Sequence, residues 1–394
     1  MRAFPQQGIK SGWKRRRLGH LIQFRNGKDT KSVEAADGAH PVYGSGGEFK
    51  RADAYLYDGP SILFGRKGTL DKPLLVHGKF WTVDTMFYTI PGPEVDPKFV
   101  HYWALTVPYQ VLSTDTAVPS MTSTDLGQLH IHLPKLETQR AIADYLDRET
   151  AEIDAMTADL DKMEKLLTER RAEILRSWFG EQLKNPRAPL ATIAELYIGK
   201  MEQPRKKSVD EIYAPFFHSA NIRPGGMIDL ECSVKHMWFR PDELNHMLLR
   251  KGDVVVVEGG AAGRPGYIAK SVDGWGIQKS VIRARPFEDK VIGKYLFYAL
   301  TFAFEDGQFD LQASLATLAH FPAEKAARFR VPVRSLADQE LVVARLDRDL
   351  SSLSDMLADI TELRDLLAER RAAVIAAAVT GQIDIPVAEE TTHA

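Results

Sequence analysis

The sequence predicts an α+β protein: two mixed α/β blocks separated by a long antiparallel two-helix coiled coil and related by a pseudo-two-fold axis. The first observation is a repeat: LLTERRA at 166–172 returns as LLAERRA at 366–372. Around it, residues 139–172 match 339–372 at 13 of 34 positions without a gap. A repeat of that length marks a duplicated unit and has to be settled before any local motif. The second observation is segregated charge beneath a total of −2: +4 over 1–133, −3 over 134–185, +3 over 186–331 and −6 over 332–394. Those four segments are the expected domains, namely block one, spacer helix one, block two, and spacer helix two with a C-terminal tail. Basic blocks inside a neutral total are compatible with a polyanionic partner.

Spacer helix one reads as a heptad seam at Leu146, Ile153, Met156, Leu160, Met163 and Leu167. Spacer helix two keeps the register with Leu346, Leu353, Met356, Ile360, Leu363 and Leu367. Gly180 and Gly381 follow as helix stops, and KNPRAP at 184–189 forbids continuation. Two unrelated amphipathic helices, each docked on its own block, are the plainer alternative; the shared narrow register argues against them. Direction follows from charge. A parallel pair would set Glu149 against Asp349 and Arg170 against Arg370, whereas an antiparallel pair centred on Leu160 and Ile360 brings Glu149 to Arg370 and Arg170 to Asp349. Two such helices of ~40 residues would make a spacer of roughly 60 Å.

In block one the runs SILFG (61–65), KPLLVHG (72–78), WTVDTMFYTI (81–90) and LHIHLP (129–134) read as strands. In block two PFFHSANI (215–222), GDVVVVEGG (252–260), GYIAKS (266–271) and KSVIRARP (279–286) do the same. A helix follows in each, KFVHYWALT (98–106) and KYLFYALTFAF (294–304), and both contain Ala-Leu-Thr, at 104–106 and 299–301. The duplication therefore extends into the blocks.

Signals for catalysis are missing. GGAAGRPG (259–266) lacks the Gly-Lys-Ser/Thr ending of a phosphate loop, and GSGG (44–47) has no Rossmann continuation, so both read as turns. His130 and His132 alternate on one strand without acidic or Cys neighbours, which argues against a metal. The single cysteine, Cys232, excludes a disulfide framework, and no run nears the ~20 apolar residues of a membrane span. With no secretory core at the N-terminus, a cytoplasmic location is expected. What remains are basic and hydrogen-bonding residues in turns. Block one offers Lys28, Lys31, Tyr43, Ser45, Arg66, Lys67 and Thr69. Block two offers Lys200, Arg205, Lys206, Lys207, His218, Asn221, Arg264, Gln278 and Lys279. Lys and Arg suit phosphates, and Arg, Asn and Gln can bond base edges in pairs.

GWKRRRLG (12–19), PVYGSGG (41–47), LFGRKGTLDKPLLVHGKFWTVDTMFY (63–88) and the junction AVPSMTSTDLGQLHIHLPKLETQRAIADYLDRETAEID (117–154) resemble the specificity (S) subunit of type I restriction–modification systems. VPVRSLADQELVVARLDRDL (331–350) is a looser second junction, and block two departs further, with PFFHSANI where block one has PVYGSGG. The resemblance spans essentially the whole chain. It implies that the blocks are target-recognition domains reading a bipartite double-stranded DNA site, and that the chain is a non-catalytic subunit. It also implies docking of two methyltransferase subunits and of motor–nuclease subunits, with S-adenosylmethionine, ATP and Mg on those partners and no cofactor here. Recognition domains vary so much in the family that no base reader is carried over by position. A coiled-coil scaffold that binds proteins without reading DNA is the competing class. A trimmed self-contained enzyme would need an upstream methyltransferase domain.

Overall fold

The computed structural model describes residues 10–112, 119–180, 185–309 and 321–386. The expectations touching residues 1–9, 117–118, Lys184 and the tail from 387 onward lie outside the described residues. The chain divides into two compact units, residues 1–161 with 361–394, and residues 162–360, so each unit holds one globular domain and one half of each long helix.

In the first unit, strand Lys14–Arg17 pairs antiparallel with His130–Leu133. A four-stranded sheet follows in the order Ile22–Asn26, Met86–Pro91, Ser61–Gly65, Leu74–Val76. A second runs Gly47–Ala52, His40–Gly44, Lys79–Thr82, Tyr57–Asp58, with one parallel pair between His40–Gly44 and Lys79–Thr82. The second unit repeats the plan. Arg187–Pro189 pairs with Arg330–Pro332. One sheet runs Ala194–Ile198, Val281–Pro286, Val254–Val257, Pro265–Tyr267, and the other Lys235–Phe239, Ile212–Phe217, Gly276–Ile277, the last pair again parallel. WTVDTMFYTI is therefore two strands in different sheets, parted at Val83–Thr85, because its two halves find different partners.

The helix Pro97–Ala104 starts at an Asp96 cap with proline in its first turn, and buries Phe99, Val100, Tyr102 and Trp103. Its counterpart, Gly293–Glu305, is buried continuously from Tyr295 to Ala303. Their match runs Lys98 to Lys294 and Tyr102 to Tyr298, shown by identical side-chain partners. Lys98 Nζ lies 2.5 Å from Asp147 Oδ2 and Lys294 Nζ 2.8 Å from Asp347 Oδ2. Tyr102 and Tyr298 each donate to the other oxygen of the same carboxylate, at 2.8 and 2.5 Å. The Ala-Leu-Thr match is one residue out of this register, a chance identity beside a real homology.

Leu136–Phe179 and Leu336–Thr380 are the long helices. They run antiparallel within each unit. In the first, Arg370 pairs with Glu149 at 3.3 Å, Arg371 with Asp154 and Arg364 with Asp161, while Val374, Ile375 and Val379 join the core around Leu146. In the second, Leu175 and Phe179 share a core with Val342, Leu346 and Leu350. The expected partner of Arg170 is taken: Asp349 pairs at 3.0 Å with Arg345, one turn away on its own helix.

The seam needs correction. Leu146, Ile153 and Ile360 are buried, and Leu160, Leu167, Leu353 and Leu367 half-buried. Met156, Met163, Met356 and Leu363 are 39, 51, 47 and 46% exposed and lie outside it. The second inward column steps to the next residue, through half-buried Thr157 and Leu357, which at ~3.6 residues per turn sit about 100° from Met156 and Met356. The Thr157 hydroxyl turns back to Ile153 O at 2.9 Å, so a partly polar residue fills a place that an apolar pattern assigns to its neighbour.

Each domain is wired to its long helix by one buried glutamine. Gln139 Oε1 accepts from Asp96 N at 2.8 Å, and its Nε2 donates to Glu94 O and Pro134 O at 3.0 Å. Gln339 accepts from Ile292 N at 2.8 Å and donates to Lys290 O and Arg334 O at 3.0 and 2.9 Å. Both are fully buried, and every polar atom of each side chain is engaged. No helix among the described residues is long and apolar enough to cross a membrane.

Candidate nucleic-acid interface

Where the first domain's two sheets meet, the chain turns through Val83, Asp84 and Thr85, and main-chain bonds gather three distant segments on that turn. Lys28 N–H donates to Thr82 O (2.9 Å), Val83 N–H to Tyr43 O (3.2 Å) and Arg66 N–H to Thr85 O (2.8 Å). Gly27 N–H donates to Met86 O at 3.0 Å, and a Cβ on Gly27 would lie 1.9 Å from Val83 O, so only glycine permits this approach. Lys28, Tyr43 and Arg66, chosen from sequence for their chemistry, thus sit around one turn.

The second domain builds the same cradle. Gly199 N–H donates to Val281 O (3.2 Å), Lys200 N–H to Ile277 O (2.8 Å), Gln278 N–H to Phe217 O (2.8 Å) and Glu258 N–H to Ser280 O (2.8 Å). Residues therefore correspond as Gly27-Lys28 to Gly199-Lys200, Tyr43 to Phe217, Val83 to Gln278 and Arg66 to Glu258. The Gly-Lys pair, in FRNGK and LYIGK, is the one sequence signal of this equivalence.

Side chains on the two cradles differ. In the first domain Lys28, Lys31, Lys67 and Thr69 are exposed, and Ser45 is half-buried. Arg66 spreads over the Phe87 ring at 5.9 Å and donates to Asp84 O at 3.2 Å, with the rest of its guanidinium open. Tyr43 is half-buried edge-on to Phe80; burial first and then the Glu48 carboxylate push its phenol up, against the opposing charge of Arg51. In the second domain Arg205, Lys206, Lys207 and Lys279 are exposed. The loop that carries the first three is tied down by Glu211, which accepts from Lys207 N at 2.6 Å and Gln203 Nε2 at 2.8 Å. Arg264 is half-buried over Phe304 at 6.0 Å, and Gln278 accepts from Ser280 N at 2.9 Å.

Three of the residues chosen from sequence are committed elsewhere. Lys200 makes a 2.6 Å ion pair with Glu243 and also donates to Trp238 O at 3.2 Å. Asn221 is fully buried, accepting from His218 N and donating to Asp229 O and Cys232 O. His218 is buried against Phe216 with Nε2 on Ser233 O at 3.0 Å. PFFHSANI leaves its strand at Phe217 and turns inward through a 3-10 turn, Ser219–Asn221, so both polar side chains stabilise the turn. Sequence reasoning missed Glu258, which lay at the end of the run GDVVVVEGG (252–260) read as a strand.

Residues 10–165 match the family model for the type I restriction modification DNA specificity domain. A solved chain from work on complex assembly and conformational transition of the type I R-M system covers 95% of this chain and 99% of its own, with a TM-score of 0.71 at 14% identity. The first domain and the start of the first long helix thus resemble the type I restriction modification DNA specificity domain. The EcoDI specificity subunit of Escherichia coli is 23% identical over 166 residues, a match that spans 41% of this chain and 37% of that protein. The HsdS subunit of Thermoanaerobacter tengcongensis is 15% identical, covering 95% of this chain and 98% of its own, with a TM-score of 0.48. The likeness in fold to the first of these solved chains extends past the residues that the family model matches, through the second domain and second long helix.

Proposed function

We propose that this chain reads DNA for a type I restriction–modification complex, each domain recognising one half of a bipartite site. The observation that carries this reading is the pair of equivalent backbone cradles bearing unlike side chains: one frame, two sets of contacts. Lys28, Lys31, Lys67, Arg205, Lys206, Lys207 and Lys279 suit phosphates, and Arg66 with its free guanidinium edge suits a base. Tyr43, Ser45, Thr69, Arg264 and Gln278 line the same turns. The chain positions and selects; methyl transfer from S-adenosylmethionine and ATP-driven motion with Mg belong to partner subunits. Exposed apolar residues recur at matching places on the two long helices, Met156 and Met356, Met163 and Leu363, Leu166 and Leu366. Two copies of one methyltransferase subunit, with motor–nuclease subunits added to that core, are the partners such a duplicated surface fits.

Sequencing of methylated bases in the host, with and without the gene, tests this. Loss of one bipartite methyl-adenine motif is the expected result; an unchanged methylome overturns it. DNA affinity of the purified complex should also fall steeply with salt, as release of counterions requires, and a flat response would favour a protein-binding scaffold.

A further inference from the structure

The cradle of the second domain holds a carboxylate, Glu258, where the first domain holds an arginine. Glu258 is 8% exposed, yet among the described residues no side-chain hydrogen bond or ion pair reaches its carboxylate. Its main chain is fixed at both ends: its N–H bonds Ser280 O at 2.8 Å, and its carbonyl accepts from Phe321 N at 2.7 Å. Arg66 is held in the same way, by Thr85 O at 2.8 Å and Met121 N at 3.0 Å. Arg66 and Glu258 therefore occupy one position on two copies of one frame, with opposite charge. The neighbouring position reverses as well, since Asp84 in the first turn corresponds to exposed Lys279 in the second.

We propose that Glu258 is a specificity-determining residue, accepting a hydrogen bond from the exocyclic amino group of a cytosine or adenine in the half-site read by the second domain. A carboxylate is acceptor-only, so it selects amino donors and rejects the keto oxygens of guanine and thymine in the major groove. Lys279 beside it offsets the repulsion of a carboxylate brought near phosphates. The inference rests on the DNA-reading function proposed above.

The test uses the full chain in its methyltransferase complex and the motif found by methylome sequencing. Each cytosine or adenine of both half-sites is replaced in turn by its amino-deleted analogue, 2-pyrimidinone or purine, and affinity is measured for wild type, Glu258→Ala and the shape-filling Glu258→Met. At one position in one half-site, deletion should weaken wild type by about 10-fold or more and leave the variants within about 2-fold, since they lack the acceptor. Penalties that are the same in wild type and variants at every position overturn the inference and leave the DNA-reading function standing. A wild type insensitive to every amino deletion also overturns it, without need of any variant. A wild type with no DNA motif overturns both.

Discussion

At one turn the first domain carries Arg66 and Asp84 where the second carries Glu258 and Lys279, while the hydrogen bonds that shape the turn are the same in both. The four bonds of each cradle join main-chain atoms only, from 2.8 to 3.2 Å in either copy. Away from the cradles the domains also share the attachments to the long helices, Gln139 with Gln339 and Asp147 with Asp347. The cradles thus differ in the side chains they carry, while the shared main-chain bonds and glutamines are parts whose loss would leave backbone groups unsatisfied.

The largest effect should come from breaking a shared attachment. Gln339→Leu removes the partners of Ile292 N, Lys290 O and Arg334 O together. At roughly 1–3 kcal/mol for each buried group left unsatisfied, stability should fall by about 3–5 kcal/mol, read as a lower urea midpoint. Gln139→Leu should give a similar loss, and hydrogen exchange should place each loss in its own unit. Exchange that rises equally in both units would break the equivalence.

Asn221→Ala comes next. Three hydrogen bonds are lost in a buried turn, so about 2–3 kcal/mol of stability should go. The folded fraction should keep its DNA motif; an altered motif would restore Asn221 as a base reader. Arg66→Ala sharpens the contrast from the other side. It should change stability by less than about 0.5 kcal/mol and weaken DNA binding by about 10-fold, relaxing one half-site alone. Unchanged affinity and motif would remove Arg66 from the interface.

A smaller effect is expected from pH. Burial opposes the charge of Asp147, but hydrogen bonds from Lys98 and Tyr102 and the charge of Lys98 outweigh it, holding the carboxyl below its ordinary value. A depressed carboxyl contributes stability above the unfolded-state pKa. That contribution is lost as pH falls from the ordinary carboxylate range through the lower folded value. Asp147→Asn should flatten this acid limb of the urea midpoint against pH. A limb of equal slope in wild type and variant would show that the half-exposed pair contributes nothing. Smallest of all, Met163→Ser should leave the fold within about 0.5 kcal/mol while reducing copurification of methyltransferase subunits.

The duplication, the antiparallel direction and the buried strands Ser61–Gly65 and Val254–Val257 were legible because each is a local pattern or a repeat. Glu149 meeting Arg370 was legible because charge at two fixed registers admits one direction. The seam was half legible: Ile153 and Ile360 face inward, but Met156 and Thr157 are adjacent, and hydrophobicity alone chose the wrong one. In the first domain, residue chemistry picked out Lys28, Tyr43 and Arg66, which the fold brings to one turn. It failed at Lys200, His218 and Asn221, whose side chains are claimed by Glu243, Ser233 and Asp229, partners whose position is set by the fold. Glu258 was illegible for a related reason: its place on the cradle depends on what surrounds it in space, and a run read as a buried strand reveals nothing of that.

The glycines at 27 and 199 have a consequence for inheritance. They let a carbonyl approach so closely that the turn is closed by peptide groups alone. A mutation at position 66 or 258 therefore rewrites what the turn presents without disturbing how it is built. Under the proposed reading a lineage can try new letters one at a time, and each trial begins from a folded protein.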